Sequence, residues 1–440
     1  MPRIWFFDCY AVISLRNVSH LGELLQLPRL QGLHRVRLAG VRLDATQLSL
    51  IQRCHDLTEL QLGAAHDMEL DCILEAKAAA TARFLTSAET LRLNNSLLTE
   101  LTERQTAALL KRLARGTART TSLEVLYNNG LSSLQGERLA AGLCRLTELT
   151  LVFQKLSAQQ YEALLEAAAR PDSALTRLNL PASNLGKVGP GLLGPALARL
   201  TRANLADTRL TTRQLAELCA AITHSRLVWL DLSHNNLSSL PPSALLPLAR
   251  LSSLNLKLTC LTAPQLGCLL SAMDRGTNLH TINLVGLTNL AKLPDPHLLA
   301  GVVARLQQVT MYASKLTSSQ LEALLLNFIT AQKLPLCHID LGGSNFSAIS
   351  PSLLAAAATR LESFTLYYCQ LTTDQQVALL MAAVSSDHCR LRQLDLAGNN
   401  GRLPETLVLQ ARQRIPNIKL ELPKISGQRT STNWTMQGCY

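Results

Sequence analysis

Aromatic side chains are scarce in this chain and charge is thin: Phe, Trp and Tyr make up 4% of the residues, and Asp, Glu, Lys and Arg 17%. The first figure argues against a core built on large rings. The second argues against a solvated polyelectrolyte, which combines high charge with few apolar residues. No uncharged apolar run reaches the length of a membrane-spanning helix. The chain has 11 cysteines but no CxxC pair and no cluster near either end, so zinc and dithiol motifs are missing and free thiols are expected. Free thiols fit a reducing compartment, cytoplasmic or alternatively nuclear. The opening MPRIWFFDCYAVISL is apolar but is broken by Asp8, and it lacks both a basic leader and a small-residue cleavage site; a signal peptide is not expected. Neither GxxxxGK[ST] nor GxSxG occurs, and histidines and acids are few and separated. No enzyme, cofactor, metal or small-molecule substrate is therefore expected. The formal charge of +11 comes mostly from scattered arginines and forms no dense basic run.

What the chain does have is leucine at a fixed spacing. The pattern LxxLxL recurs along almost its whole length, most clearly in Leu227-Val228-Trp229-Leu230-Asp231-Leu232-Ser233-His234-Asn235-Asn236-Leu237. Further copies begin at Leu33, Leu57, Leu146, Leu175, Leu251, Leu279, Leu306, Leu336, Leu361 and Leu391, with weaker ones near Tyr10, Ala88, Leu123, Leu200 and Ile415. From residue 123 onward short units of about 24 residues alternate with long ones of about 28, so the true period is a pair of about 53 residues. Alternation within LxL predicts a strand with leucines inward and the intervening residues outward. In the second half of a long unit, Leu215, Leu218 and Ile222 share one helical stripe. Neither half buries its apolar side alone, and stacked units supply one continuous core.

Helix starts are written in the sequence as well. Thr102…Gln105, Ser157…Gln160, Thr211…Gln214, Thr262…Gln265, Thr317…Gln320 and Thr372…Gln375 each place a hydroxyl three residues before a glutamine, the reciprocal capping box. Short units hold proline instead, at Pro190, Pro195, Pro241, Pro242, Pro294, Pro296 and Pro351, which predicts one or two helical turns, partly 3₁₀. The turn after each strand carries Asn235 or Asn399 in two units and Ser183, Thr208, Thr259, Ser314, Ser344 or Cys369 in others. These residues are suited to hydrogen-bond turn backbone, in a ladder less regular than one of asparagines alone.

The segment LVWLDLSHNNLSSL (227–240), its copies and the helices that follow resemble ribonuclease-inhibitor-type leucine-rich repeat proteins and the repeat arms of NOD-like receptors, over roughly residues 10–422. The resemblance implies an α/β solenoid: a curved horseshoe with a parallel sheet on the concave face, helices on the convex face and about fifteen repeats. It also implies binding of macromolecules.

The expected organisation is a single repeat domain over 1–422, with 1–9 as an N-terminal cap in which Trp5, Phe6 and Phe7 fold over the core, and a polar tail over 423–440. A helix is expected over Ile73–Leu85, and a kinked or disturbed strand around Leu123–Gly130, where two residues are missing from the pattern. Asp231, Asp340 and Asp395 share an outward strand position and are expected at the surface; His234 is expected to be a turn residue.

The functional expectation is a protein–protein interaction scaffold holding its partner on the concave face. Trp229 and the arginines Arg177 and Arg202 lie at outward strand positions, and Tyr312, Tyr367 and Tyr368, with Phe153, stand just past the strands. Aromatics and arginine are the side chains that most often carry interface energy. The alternative is a structural or RNA-contacting accessory subunit of a large assembly, since the positive charge permits nucleic acid without implying it. No membrane partner is expected.

Overall fold

The computed structural model describes residues 3–7, 10–14, 35–38, 42–43, 45–51, 57–62, 73–74, 76–94, 101–126, 131–152, 155–276, 278–399 and 401–420. The polar tail over 423–440 and Phe153 lie outside them. The chain forms two compact units, Met1–Leu279 and His280–Tyr440.

In the first unit the alternating leucines give parallel strands at Arg35–Leu38, Glu59–Leu62, Thr90–Asn94, Ser122–Leu126, Glu148–Val152, Arg177–Asn179, Arg202–Asn204, Trp229–Asp231 and Ser253–Asn255. Each pairs with its sequence neighbour. The register carries one inward column across the sheet, Leu149↔Leu178↔Ala203↔Leu230↔Leu254, and every member is buried. The second unit repeats the arrangement with strands Thr281–Asn283, Gln308–Thr310, His338–Asp340, Ser363–Thr365, Gln393–Asp395 and Asn417–Lys419. Its inward column is Ile282↔Val309↔Ile339↔Phe364↔Leu394. Burying these branched and aromatic side chains against the helices is what stabilises each stack.

All six expected capping boxes are present, and each opens a helix of 11 to 13 residues: Glu103–Ala114, Ala158–Ala169, Thr212–Ile222, Ala263–Asp274, Ser318–Thr330 and Thr373–Ser385. The proline-bearing units are shorter there, with 3₁₀ turns at Leu185–Lys187, Pro242–Arg250 and Thr288–Lys292, and helices at Leu193–Arg199, Pro296–Val303 and Pro351–Ala358. The box glutamines do more than cap. Their Oε1 accepts from the cap N–H while Nε2 crosses to the preceding short unit, where Gln214 donates to the carbonyls of Leu185 and Val188 at 2.9 Å each. Gln375 reaches Phe346 and Ile349 in the same way, at 2.7 and 2.6 Å.

The turns also follow the repeat. The second residue past the last inward side chain adopts a left-handed backbone at Ala182, Asp207, His234, Leu258, Ala313 and Tyr368, and at Gly286, Gly343 and Gly398. This conformation is unfavourable for L-residues. It is held by continued ladder bonds: the N–H of His234 donates to the Lys257 carbonyl at 2.9 Å, and that of Tyr368 to Ala397 at 2.9 Å. Long units add a second left-handed residue, Arg209, Cys260, Lys315 or Gln370, two positions before the cap. The turn ladder is irregular, as expected. Asn399 donates to the carbonyls of Leu366 and Leu396 and accepts from the N–H groups of Cys369 and Leu371, whereas the buried Ser344 hydroxyl has no partner.

Three expectations need correction. Ser122–Leu126 is a regular strand, paired over its full length with Thr90–Asn94 and Glu148–Val152; residues 127–130 lie outside the described residues. The helix expected at Ile73–Leu85 begins only at Ala78, because Ile73–Leu74 pairs as a short parallel strand with Arg42–Leu43. Asp231 is only 9% exposed, hence buried rather than at the surface. Its Oδ1 accepts from the Ser233 N–H at 2.8 Å and its Oδ2 from the Asn255 amide at 2.7 Å, which turns the carboxylate down onto the sheet. At the N-terminus, Arg3–Phe7 and Tyr10–Ser14 form an antiparallel hairpin.

Candidate functional site

On the outward face of the first sheet, residues at one strand position line up across neighbours. Two rows begin at the N-terminal side with alternating signs. Arg35 and Arg92 flank Glu59 at 3.2 and 3.0 Å, and Arg92 reaches Glu124 at 3.2 Å. Charges there neutralise one another, and exposed pairs of this kind contribute little stability.

The pattern changes at Glu148↔Arg177↔Arg202↔Trp229, four residues in direct register. Arg177 approaches Glu148 at 3.6 Å. Among the described residues Arg202 forms no salt bridge; its guanidinium carbon lies 5.1 Å from the centre of the Trp229 ring. The stack is a cation–π contact, and it keeps the half-buried indole against a neighbour instead of free in water. Together with Leu178, Asn179 and Asn204 these side chains line a shallow depression of about 270 Å³. The structure thus brings Arg177, Arg202 and Trp229 into one site.

Tyr312, Tyr367 and Tyr368 belong to the second unit and form a separate patch. Tyr367 and Tyr368 meet edge to face, 4.3 Å between ring centres at 77°. Tyr312 and Tyr368 are exposed and Tyr367 half-buried. Glycines in neighbouring units make room for the rings: a Cβ on Gly342 would sit 2.8 Å from Tyr312 Cδ2, and one on Gly398 2.6 Å from Tyr368 Cδ1. Partial burial, with Tyr368, Tyr312 and Asp395 nearby, holds the Tyr367 phenol above its ordinary range. Asp340, in the same unit, is likewise raised, chiefly by burial and further by the charge of Asp395, against a stabilising bond from the Gly342 N–H.

Glu148, Asn179 and Asn204 were not singled out in the sequence, though the signal was there. Each occupies a strand position equivalent to that of a residue that was, one or two units away. A different depression, of about 570 Å³, lies between the helices Glu103–Ala114 and Gly136–Leu143, lined by Leu110, Lys111, Arg138 and Ala141 and by Leu134 just before the second helix. Among the described residues no group of three or more His, Cys, Asp or Glu is placed to hold a metal, and no helix is long and apolar enough to cross a membrane.

No protein-family model matches the chain, and no curated protein matches it. Among solved structures it is similar to the Toll–Spatzle complex of Drosophila, at 16% identity and a TM-score of 0.44, over 96% of this chain and 55% of that one. It is similar also to the TLR13–ssRNA13 complex, at 17% identity and a TM-score of 0.44, over 93% of this chain and 61% of that one. A third is the leucine-rich-repeat protein LegL7 from Legionella pneumophila, at 18% identity and a TM-score of 0.39, over 76% of this chain and 99% of that one. The chain therefore spans less than two thirds of the length of the first two. The recurring LxxLxL strands, the helices behind them and the parallel ladders they build give both units the leucine-rich-repeat fold.

Proposed function

We propose that the chain is a non-enzymatic scaffold that holds a protein partner on the outward face of its sheets. The main contact is the Arg177–Arg202–Trp229 site, and Tyr312, Tyr367 and Tyr368 form a second patch. The observation that carries this is the Arg202–Trp229 stack. Elsewhere in the first sheet the outward arginines Arg35 and Arg92 sit against glutamates; here the guanidinium rests on an indole. Stacked arginine and tryptophan lose little conformational freedom when a partner covers them, and both are typical of interface hot spots. The working compartment under this proposal is reducing, in keeping with the unpaired thiols of Cys144, Cys219, Cys268, Cys337, Cys369 and Cys389.

The test is affinity capture of the intact protein from its own cells, set beside a Trp229→Ala, Tyr367→Ala double variant that stays folded by circular dichroism. Loss of one reproducible protein supports the proposal. An unchanged set of captured proteins contradicts it, and a set that disappears with nuclease moves the function to RNA contact.

A further inference from the structure

We infer that the depression around Arg202 is a carboxylate site, built to take an Asp or Glu side chain from an acidic segment of the partner. The inference rests on the protein-partner reading above and adds the chemistry of the occupant.

The groups left over in the depression are the starting point. Arg202 stacks on Trp229 through its flat face, and the planar fork of a guanidinium keeps its N–H donors at the edge of that plane. None of these donors meets an acceptor among the described residues. Asn204 uses Oδ1 to accept from the Ala206 N–H at 3.0 Å, which leaves its amide donors unassigned. Asn179 spends one end of its amide on Thr150 Oγ1 at 3.3 Å, while its Oδ1 is buried without a partner. The Thr150 hydroxyl can donate as well as accept. The Asn179 amide can therefore turn over and give its oxygen to Thr150, which leaves its NH₂ where the buried Oδ1 now lies. Arg202 and Asn204 thus supply N–H donors around one small space of about 270 Å³, which Asn179 also lines. Its complement is a planar oxyanion able to accept from a fork, and arginine binds a carboxylate in that bidentate manner. Pre-stacking on Trp229 means that the fork is already oriented.

A phosphate backbone would meet the same donors, but the surrounding face disfavours it. Nucleic-acid binding needs a run of cations that tracks successive phosphates. Here Glu148 stands one strand from Arg177, and the rows beyond alternate Arg35, Glu59, Arg92 and Glu124. A carboxylate on a flexible side chain reaches the Arg202 fork between such charges, whereas phosphates fixed in the strand backbone itself are held against these glutamates.

The experiment is fluorescence anisotropy of labelled octaglutamate titrated with the full chain. Octaglutamine, polyuridylate and inorganic phosphate serve as competitors. Arg202→Gln should weaken octaglutamate binding at least about tenfold, the loss of a charge-assisted hydrogen bond. Arg202→Lys should fall between the two, because it keeps the charge and loses the fork. Arg213→Gln, a change on the exposed helix surface where Arg213 pairs with Glu217 at 3.4 Å, should leave binding unchanged. Equal weakening by Arg213→Gln would show diffuse attraction to a basic protein and overturn the proposal. So would binding indifferent to Arg202→Gln, or competition by octaglutamine or polyuridylate equal to that by octaglutamate. The two readings fail separately. Octaglutamate held through Arg202 while the Trp229→Ala, Tyr367→Ala variant keeps its captured proteins would sink the protein-partner proposal alone. Capture that depends on that face while octaglutamate ignores Arg202 would sink the carboxylate site alone.

Discussion

Gln265 donates from Nε2 to the carbonyl of Leu240 at 2.7 Å, across 25 residues of sequence, and to that of Leu237 at 2.9 Å. The same side chain accepts from the N–H of its own cap residue, Thr262, at 2.8 Å. One buried glutamine therefore starts its helix and ties that helix to the turn that leads into the 3₁₀ segment of the unit before it. Gln105, Gln160, Gln214, Gln320 and Gln375 repeat the arrangement, each with Nε2 on a carbonyl of the preceding unit.

Removing that tie should cost more than removing the cap. Thr262→Ala loses one cap acceptor and should destabilise by about 1 kcal/mol. Gln265→Ala also strands the Leu240 carbonyl, while that of Leu237 keeps the Leu240 N–H at 3.0 Å, and should cost roughly 1–3 kcal/mol more for the orphaned group. Urea unfolding of both variants, with hydrogen exchange over Ala263–Asp274, makes the comparison. Equal losses would reduce the glutamine to an ordinary cap.

The inward column makes a second comparison. Leu230 is fully buried between Ala203 and Leu254, and Leu230→Ala should cost roughly 2–5 kcal/mol through the cavity it leaves. In Ser233 the group that is used is its backbone N–H, which donates to Asp231 Oδ1, so Ser233→Ala should cost less than about 1 kcal/mol. The two urea midpoints should separate clearly; coincident midpoints would contradict the register.

These residues show what could be read in advance. Leu230 and the six boxes were legible because strand alternation and helix capping are local rules with a fixed spacing. The reach of Gln265 back to Leu240 was not, since it depends on how two units stack. Asp231 was misread for the same reason: its outward position is local, but its burial follows from Asn255 on the next strand. At the candidate site, Trp229, Arg202 and Arg177 stood out as residue types. Their stacking, and the amides of Asn179 and Asn204 around them, needed the lateral register between strands.

Thiol chemistry should divide by burial. Burial pushes the thiols of Cys219 and Cys369 up to about 12, and Cys369 Sγ also donates to the Leu341 carbonyl at 3.3 Å. Both stay protonated at pH 8, whereas Cys260 is exposed. Iodoacetamide at pH 8 should modify Cys260 before Cys219 and Cys369, which it should reach only on unfolding, as peptide mass mapping would report. The same shift sets a pH dependence. Above the ordinary thiol value of 9.0 the unfolded chain releases protons that the folded one keeps, so these two groups should lower stability as pH climbs from 9.0 towards about 12. Early alkylation of Cys219 would contradict the packing described.

Two glycines separate backbone strain from crowding. Gly191 has φ +88° and open space around a would-be Cβ, so Gly191→Ala should cost only the strain of a left-handed alanine, about 1–2 kcal/mol. Gly398 has φ +77°, and its would-be Cβ falls 2.6 Å from the Tyr368 ring, so Gly398→Ala should cost more and displace the tyrosine. Near-ultraviolet circular dichroism should change for Gly398→Ala and not for Gly191→Ala.

The central claim is that a protein partner sits on the outward sheet face of the first unit, over Arg202 and Trp229. Hydrogen–deuterium exchange with the captured partner present and absent tests it most directly. Protection is expected over Arg177–Asn179, Arg202–Asn204 and Trp229–Asp231 and the turns that follow these strands, with the helices Thr212–Ile222 and Ala263–Asp274 unchanged. Protection confined to the helices, with the strands and turns unaltered, would place the partner on the opposite side and contradict the claim.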